Sequence, residues 1–396
     1  MEQIFTLGVV NNKEMLTLLE TQIRYLLPPK SKISTEHSDI RVTSENDLPQ
    51  ALIDNIQGLI DETKKSYRKV NLMQSKASTE HSIFTQDPMP VLLESNQLVQ
   101  MMPGIYTYSG ALLELMQKLD EFFRQYALRE GASERLYPNI LPVNSMIENG
   151  YVSGFPHHAL FVSMAHQDSD TLKSLSALKD IESLNDLVST NGIMLAPTVC
   201  HHCFEELKGA KLEDNMIITS TGKCHRFEGP SAEDLSRTHI FNMREIVLFG
   251  KSSWVHKNRL KIKSDCEALF ERWQLDYQVE TATDPFFPAG SQNKRNFQAM
   301  NQTKFEVKLY LPFKQQSISA VSINNHMETL TESYGIKGGK NLISSCVGFG
   351  LERLSFSILS QYGFDRGNWP DTLKRRSCSR VMLKGGKTTL PQSFHG

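Results

Sequence analysis

Apolar side chains recur along the chain in two rhythms. Leu48, Leu52, Ile53, Ile56, Leu59 and Ile60 keep the three-and-four spacing of one helical face, and an acidic-then-basic run from Asp61 to Lys69 follows them, so a helix is predicted there. From Gly110 the stripe tightens: Leu112, Leu115, Met116, Leu119, Phe122, Phe123 and Tyr126 form one continuous apolar face. That spacing predicts a helix of about 18 residues packed against something large. Gln167–Ser189 repeats the helical spacing among Ser, Leu, Asp and Lys, and reads as a helical insertion at about 167–190.

The second rhythm is that of strands. Leu136–Pro142 is a short apolar run bracketed by Pro138 and Pro142, suited to a sheet edge or an interface. Asn215–Thr221, Ile246–Phe249, Val307–Pro312 and Ile318–Ile323 are β-rich, with helices or long connections between them and no regular βαβ repeat. The pattern predicts an α+β fold, an antiparallel sheet flanked by helices. Polar stretches from Pro28 to Asp47 and from Lys76 to Asp87 read as loops, so residues 1–90 are expected to be a small helical appendage and linker. Residues 91–372 then form the main domain. Residues 373–396 are a basic, solvated tail carrying Lys374, Arg375, Arg376, Arg380, Lys384 and Lys387.

Composition narrows the class. The chain has 396 residues, 39% hydrophobic and 22% charged, which is ordinary for a globular protein and excludes a disulfide-stapled miniature or a disordered chain. With 43 basic and 44 acidic side chains no global basic field points to nucleic acid. The best uncharged run, Val99–Leu113, is broken by Pro103, Gly104, Ser109 and Gly110, and the first residues lack an export signal. A soluble, cytoplasmic protein with no membrane partner is expected, and its six cysteines are expected to be thiols or metal ligands.

Two segments carry candidate chemistry. In Cys224-His-Arg-Phe-Glu228, Arg226 and Glu228 stand two apart, so on a strand they share a face. There they could meet a phosphate and a donor such as an adenine amino group, or simply pair at the surface. In Gly348-Phe-Gly-Leu-Glu-Arg353 two glycines precede an apolar helical run. They would allow close backbone approach with Arg353 as a fixed cation, or merely tight helix packing.

Together with Leu136–Pro142 these segments resemble the three signature motifs of class II aminoacyl-tRNA synthetases, and Arg237-x-His-x-Phe-x-x-x-Glu245 is similar to the matching stretch of seryl-tRNA synthetases. Pro197-Thr-Val-Cys-His-His202, Asp284-Pro-Phe-Phe287, Lys304-Phe-Glu306, Ser322-Ile-Asn-Asn-His326, Ser345-Cys346 and Gly363-Phe-Asp365 narrow the likeness. They resemble the amino acid:carrier protein ligases, truncated relatives of the atypical zinc-dependent seryl-tRNA synthetases. The resemblance runs from about Gly104 to Pro370.

That resemblance implies zinc held by Cys200, Glu245 and Cys346, with a fourth position open to a substrate amine. It implies Arg226 and Arg353 as catalytic residues, and ATP bound by Arg226, Glu228, Arg237, Phe241 and Arg353. Ser322, Asn324 and His326 would wall the amino-acid pocket, and Glu306 and Ser322 are candidates for Mg²⁺. The implied reaction activates glycine, alanine or serine as an adenylate and passes it to the phosphopantetheine thiol of an acyl or peptidyl carrier protein. Residues 1–90 show no sustained heptads and no basic stripe, so a tRNA partner is not expected from them. Class II catalytic domains pair through the first motif, which implies a homodimer. The alternatives are tRNA aminoacylation of the seryl-tRNA synthetase kind, or a catalytically silent regulatory paralogue. Cys200-His-His-Cys203 invites a rival reading as a metal knuckle or redox pair, but it has no second CxxC.

Overall fold

The computed structural model describes residues 2–6, 13–28, 30–36, 39–67, 72–229, 232, 234–287 and 292–374. Of the tail expected at 373–396, Leu373 and Lys374 instead close a short helix with Leu373 buried, and residues 375–396, Cys378 among them, lie outside the described residues.

The chain opens with β1 (Glu2–Thr6), α1 (Lys13–Arg24), β2 (Lys32–Glu36), β3 (Asp39–Thr43) and α2 (Gln50–Ser66). The strands form an antiparallel sheet in the order β1-β3-β2. Met15, Leu19 and Ile23 of α1, Ile40 and Val42 of β3, and Ile56, Leu59 and Ile60 of α2 close a core of their own. The helix expected from Leu48–Ile60 is therefore present, but the segment read as loop holds two strands. Its Lys-Ile-Ser-Thr-Glu and Asp-Ile-Arg-Val-Thr runs bury only one face, so the polar residues outnumber the apolar signal. A second difference follows at β4 (Gln74–Ser78), which adds an edge strand to the main sheet, so the chain before Val91 is not wholly an appendage.

The main domain continues through α3 (Pro88–Glu94), β5 (Leu98–Met102), β6 (Ile105–Tyr108), α4 (Gly110–Arg129), β7 (Ser133–Glu134), β8 (Ile140–Pro142), α5 (Val143–Glu148), α6 (Tyr151–Gly154) and β9 (Phe161–Ala165). The segment read as an insertion is α7 (Ser169–Ser176) and a 3-10 turn at Glu182–Leu187, neither with a buried residue. β10 (Val188–Leu195) then pairs with β8 and β9, leaving β8 at an edge with Leu136 ahead of it 90% exposed.

Next come α8 (Cys200–Glu206), β11 (Met216–His225), β12 (Ile240–Lys251), α9 (Ser252–Arg272), β13 (Tyr277–Thr281), α10 (Gln292–Met300), β14 (Lys304–Leu311), β15 (Gln316–Met327), α11 (Thr329–Ser333), β16 (Leu342–Gly350), α12 (Leu351–Tyr362) and α13 (Asp371–Lys374). The eight-stranded sheet runs β4-β13-β14-β15-β16-β12-β11-β7, antiparallel except for the β11–β7 pair. The α+β class is as expected. The strands are longer than their apolar cores because polar residues at alternate positions, such as Glu245 and Asn324, continue them.

Period-two alternation sorts the two faces of this sheet. Ile246 and Leu248 of β12, Val347 and Phe349 of β16, Val321 and Ile323 of β15, and Phe305 and Val307 of β14 pack on the apolar sides of α4, α9 and α12. The stripe on α4 is buried at Leu112, Leu115, Met116, Leu119 and Phe123. Phe123 stacks on Phe349 with ring centroids 3.9 Å apart. On the same side Arg244 is buried and tied to Asp120 at 2.7 Å and Glu134 at 3.2 Å, which joins β12 to α4 and β7. The opposite face carries the polar residues. Among the described residues no helix is long and apolar enough to cross a membrane.

Phe349→Ala removes a fully buried ring from this helix-facing core and is expected to lower stability by about 3–5 kcal/mol. Urea unfolding followed by circular dichroism checks it. A loss below about 1 kcal/mol, the cost of a surface change, would show that the Phe123–Phe349 stack does not anchor the sheet to α4.

Candidate active site

The polar face is assembled from five adjacent strands. β14 presents Lys304 and Glu306, β15 presents Ser322 and Asn324, β16 presents Cys346 and Gly348, β12 presents Phe241 and Glu245, and β11 leads into Arg226 and Glu228. Register brings them together: Glu306 lies opposite Ser322, Ser322 opposite Gly348, Gly348 opposite Glu245, and Asn324 opposite Cys346. Gly348 leaves room for Met243, whose sulfur would have to shift if a Cβ stood there, 2.7 Å away.

Two clusters of opposite character share this face. The first is acidic. Ligand atoms of Cys200, at the start of α8, and of Glu245 and Cys346 lie within 4.8 Å of one another, and all three residues are buried. The amide of Val199 donates to Oε1 of Glu245 at 3.0 Å, while Oε2 is buried and has no hydrogen-bond partner among the described residues. Burial and the adjacent Cys346 push the Glu245 carboxyl up to about 8. A hydrogen bond with Cys346, added to burial, raises the Cys200 thiol, and the same bond lowers that of Cys346. Three potential anions gathered this closely, one carboxylate oxygen among them without a hydrogen-bond partner among the described residues, are a donor set that could hold a divalent metal. Cys203 is not part of this cluster, and burial raises its thiol and that of Cys224.

The second cluster is cationic. Arg226 follows β11, donates from Nε to the carbonyl of Pro197 at 2.8 Å, and lies over the Phe241 ring at 5.2 Å. Arg353, in the first turn of α12, donates to the carbonyl of Ser319 at 3.1 Å. Arg237 reaches Oε2 of Glu228 at 3.5 Å. Burial would raise the Glu228 carboxyl, but the guanidinium groups of Arg237, Arg353 and Arg226 outweigh it and hold the group below its usual range. Burial pushes Arg353 down, with Arg237 and Arg226 adding to it. Three guanidinium groups against one carboxylate leave a surplus of positive charge, which suits a polyphosphate.

Between the clusters stand the residues expected to wall a small pocket. Asn324 donates to Ser322 at 3.1 Å and to the Cys346 sulfur at 3.6 Å, and His326 bonds Ser344 at 3.0 Å. Glu306, a magnesium candidate, is ion-paired with Lys304 at 3.2 Å, and Lys304 also meets Asp284. Sequence reasoning missed Asn149, which donates to the Tyr334 hydroxyl at 2.8 Å and sits 3.4 Å from His201. It also missed Glu352, which accepts the amide of Asn242 at 2.8 Å and braces β12 against α12. Tyr25 and the pair His157 and His158 were missed as well. A lone Asn or Tyr has no spacing signal, and only the adjacent histidines of Pro156-His-His158 could have drawn attention.

No protein-family model matches the chain. The type-2 serine–tRNA ligase of Methanococcus aeolicus is 29% identical over 287 residues, covering 68% of this chain and 55% of the relative. That of Methanocaldococcus jannaschii is 27% identical over 311 residues, covering 74% and 60%. The chain thus spans a little over half the length of these curated relatives. Among solved structures, Methanopyrus kandleri seryl-tRNA synthetase in complex with an Aquifex aeolicus tRNASec superposes with a TM-score of 0.70 at 19% identity, covering 94% of this chain and 76% of that one. The cytoplasmic serine–tRNA ligase of Naegleria fowleri, in complex with AMP, gives 0.57 at 13% identity, covering 81% and 79%. These likenesses overturn the expectation of a carrier-protein partner with no tRNA expected, since the relatives are serine–tRNA ligases and one of the solved neighbours carries a tRNA. The chain is similar in sequence to the type-2 serine–tRNA ligases and shares with the solved seryl-tRNA synthetases a mixed α+β fold, a central antiparallel-rich sheet flanked by helices.

Proposed function

We propose that this chain activates a small amino acid, serine foremost, with ATP and transfers it from the aminoacyl-adenylate to the terminal ribose of a tRNA. One observation carries the reading: a single sheet face holds the cationic group Arg226, Arg237 and Arg353 beside the buried trio Cys200, Glu245 and Cys346. The names of the relatives, serine–tRNA ligases, support serine and tRNA over other small amino acids and acceptors.

Cys200, Glu245 and Cys346 would hold a zinc ion, which supplies a Lewis-acidic fourth position that accepts an α-amine only in its unprotonated form. The orphaned Oε2 of Glu245 and the two thiols fit that role. Ser322, Asn324 and His326 would line the small side-chain pocket next to it, with polar groups suited to a hydroxyl.

In the first half-reaction a carboxylate oxygen of the amino acid attacks the α-phosphorus, the bond to the β-phosphate oxygen breaks, and pyrophosphate leaves. Such a transfer needs placement and neutralised phosphate charge more than a general base. Arg226 would hold both the carboxylate and the α-phosphate, its guanidinium already fixed by Pro197 and Phe241. Arg353 would take the terminal phosphates, Glu228, braced by Arg237, would accept from the adenine amino group, and Phe241 would stack on the base. Mg²⁺ would arrive on the triphosphate, with Glu306 and Ser322 as its candidate protein contacts. In the second half-reaction a ribose hydroxyl attacks the acyl carbon, AMP departs and an ester forms.

Three outcomes are expected. ATP–pyrophosphate exchange depends on serine, and Arg226→Ala lowers it at least about 100-fold, the scale for removing a fixed donor to developing charge; a variant within threefold of wild type would sink that assignment. Elemental analysis finds zinc in the purified chain and none in a folded Cys346→Ser variant, whereas exchange that survives chelation would remove the metal from the reading. Labelled serine becomes attached to unfractionated tRNA, and failure of that step in protein competent for exchange would leave activation standing without tRNA.

A further inference from the structure

Tyr25 of the N-terminal unit touches the cationic cluster. Tyr25, just past the end of α1, places its hydroxyl 3.2 Å from Nε2 of His158 and 3.4 Å from Nη1 of Arg237. The same Arg237 nitrogen lies 3.5 Å from Oε2 of Glu228. The Tyr25 ring packs on His157 at 4.4 Å and on the edge of His158 at 5.7 Å. Gly229, with φ of +90°, holds a turn that other residues rarely adopt, directly against Arg24 and Tyr25. A segment 203 residues earlier in sequence than Glu228 is thus built into its surroundings.

The donors and acceptors form one ordered chain. Arg237 only donates, so its hydrogens serve the Tyr25 oxygen and the Glu228 carboxylate. The Tyr25 hydrogen is then directed at Nε2 of His158, which must be unprotonated to accept it. Burial keeps His158 neutral, pushing it down to about 3. Without the hydroxyl, Arg237 would lose one of its two anchors and His158 its only donor in this chain of contacts, and Glu228 would face the purine with a less fixed neighbour.

We propose that Tyr25 is a positioning residue for the nucleotide site: by holding Arg237 and His158 around Glu228, it lets the N-terminal unit set the affinity and selectivity for the adenine base. The inference rests on the nucleotide reading above and deepens it. Anything that moves the N-terminal unit then alters ATP binding, and ATP binding alters that movement by the same factor.

Titration calorimetry of the full chain with Mg-ATP and with Mg-GTP tests it, using wild type, Tyr25→Phe and Tyr25→Ala. Phenylalanine keeps the ring on His157 and removes only the hydroxyl. The expected result is an ATP affinity about 3- to 10-fold weaker in Tyr25→Phe, the scale for one hydrogen bond. GTP binding should be unchanged, the ATP preference correspondingly smaller, and the KM for serine in exchange unaltered. Wild-type ATP affinity in Tyr25→Phe overturns the proposal, and weakening seen only in Tyr25→Ala reduces Tyr25 to packing and overturns it too. A wild-type chain that binds no ATP overturns the nucleotide reading itself, a different and recognisable failure.

Discussion

Strand register is the constraint on which the site depends. Side chains alternate across a sheet, so a slip of one residue in β12 or β16 would turn Glu245 or Cys346 toward α4, α9 and α12 and bring Ile246 or Val347 to the polar side. Both errors are costly, because one buries carboxylate and thiol in an apolar core and the other strips that core of fully buried aliphatics. The helix-facing residues therefore lock the register, and the site residues inherit their alignment from them. Phe349, stacked on Phe123, holds β16 on the face opposite the one where its neighbour Gly348 makes room for Met243.

Buried charge is arranged by the same sheet in two different ways. On the helix side Arg244 is satisfied within the chain by Asp120 and Glu134, so it ties elements together and has nothing left to offer a ligand. On the other side charges are left unbalanced. The trio of Cys200, Glu245 and Cys346 crowds acidic groups that make no ion pair among the described residues, and Arg226, Arg237 and Arg353 outnumber Glu228. Each imbalance costs desolvation that a ligand of opposite sign would offset, which is why such clusters mark binding sites more often than structural ones.

The two clusters are also fixed before any ligand arrives. Arg226 is bonded to Pro197 and packed on Phe241, Arg353 is bonded to Ser319, and Glu245 is held by the Val199 amide. Groups held in this way need little rearrangement when charge develops beside them. Arg237 differs, being partly exposed and held by two long contacts, one of them from the N-terminal unit.

Much of the site was legible in the chain. The helical stripe after Gly110, the strand-rich runs and the α+β class follow from periodicity, because core burial imposes a rhythm of 3.6 or 2 on any sequence. Arg226 with Glu228 and the glycines before Arg353 were each open to an ordinary structural reading from their spacing alone, and with Cys200, Glu245 and Cys346 they were singled out as candidates by resemblance to the synthetase motifs. Other features had no local signature. The strands at Lys32–Glu36 and Asp39–Thr43 bury one face each and look polar, and β4 is a polar edge. A net charge of −1 did not discriminate a carrier protein from tRNA, and the proposal of tRNA rests on the names of the relatives. Only tertiary structure could bring Tyr25 to Arg237, place Asn149 beside Tyr334, and gather Cys200, Glu245 and Cys346 from α8, β12 and β16 into one 4.8 Å cluster. Sequence determines which residues can alternate or stripe, whereas contacts between segments far apart in the chain exist only once the sheet has closed in register.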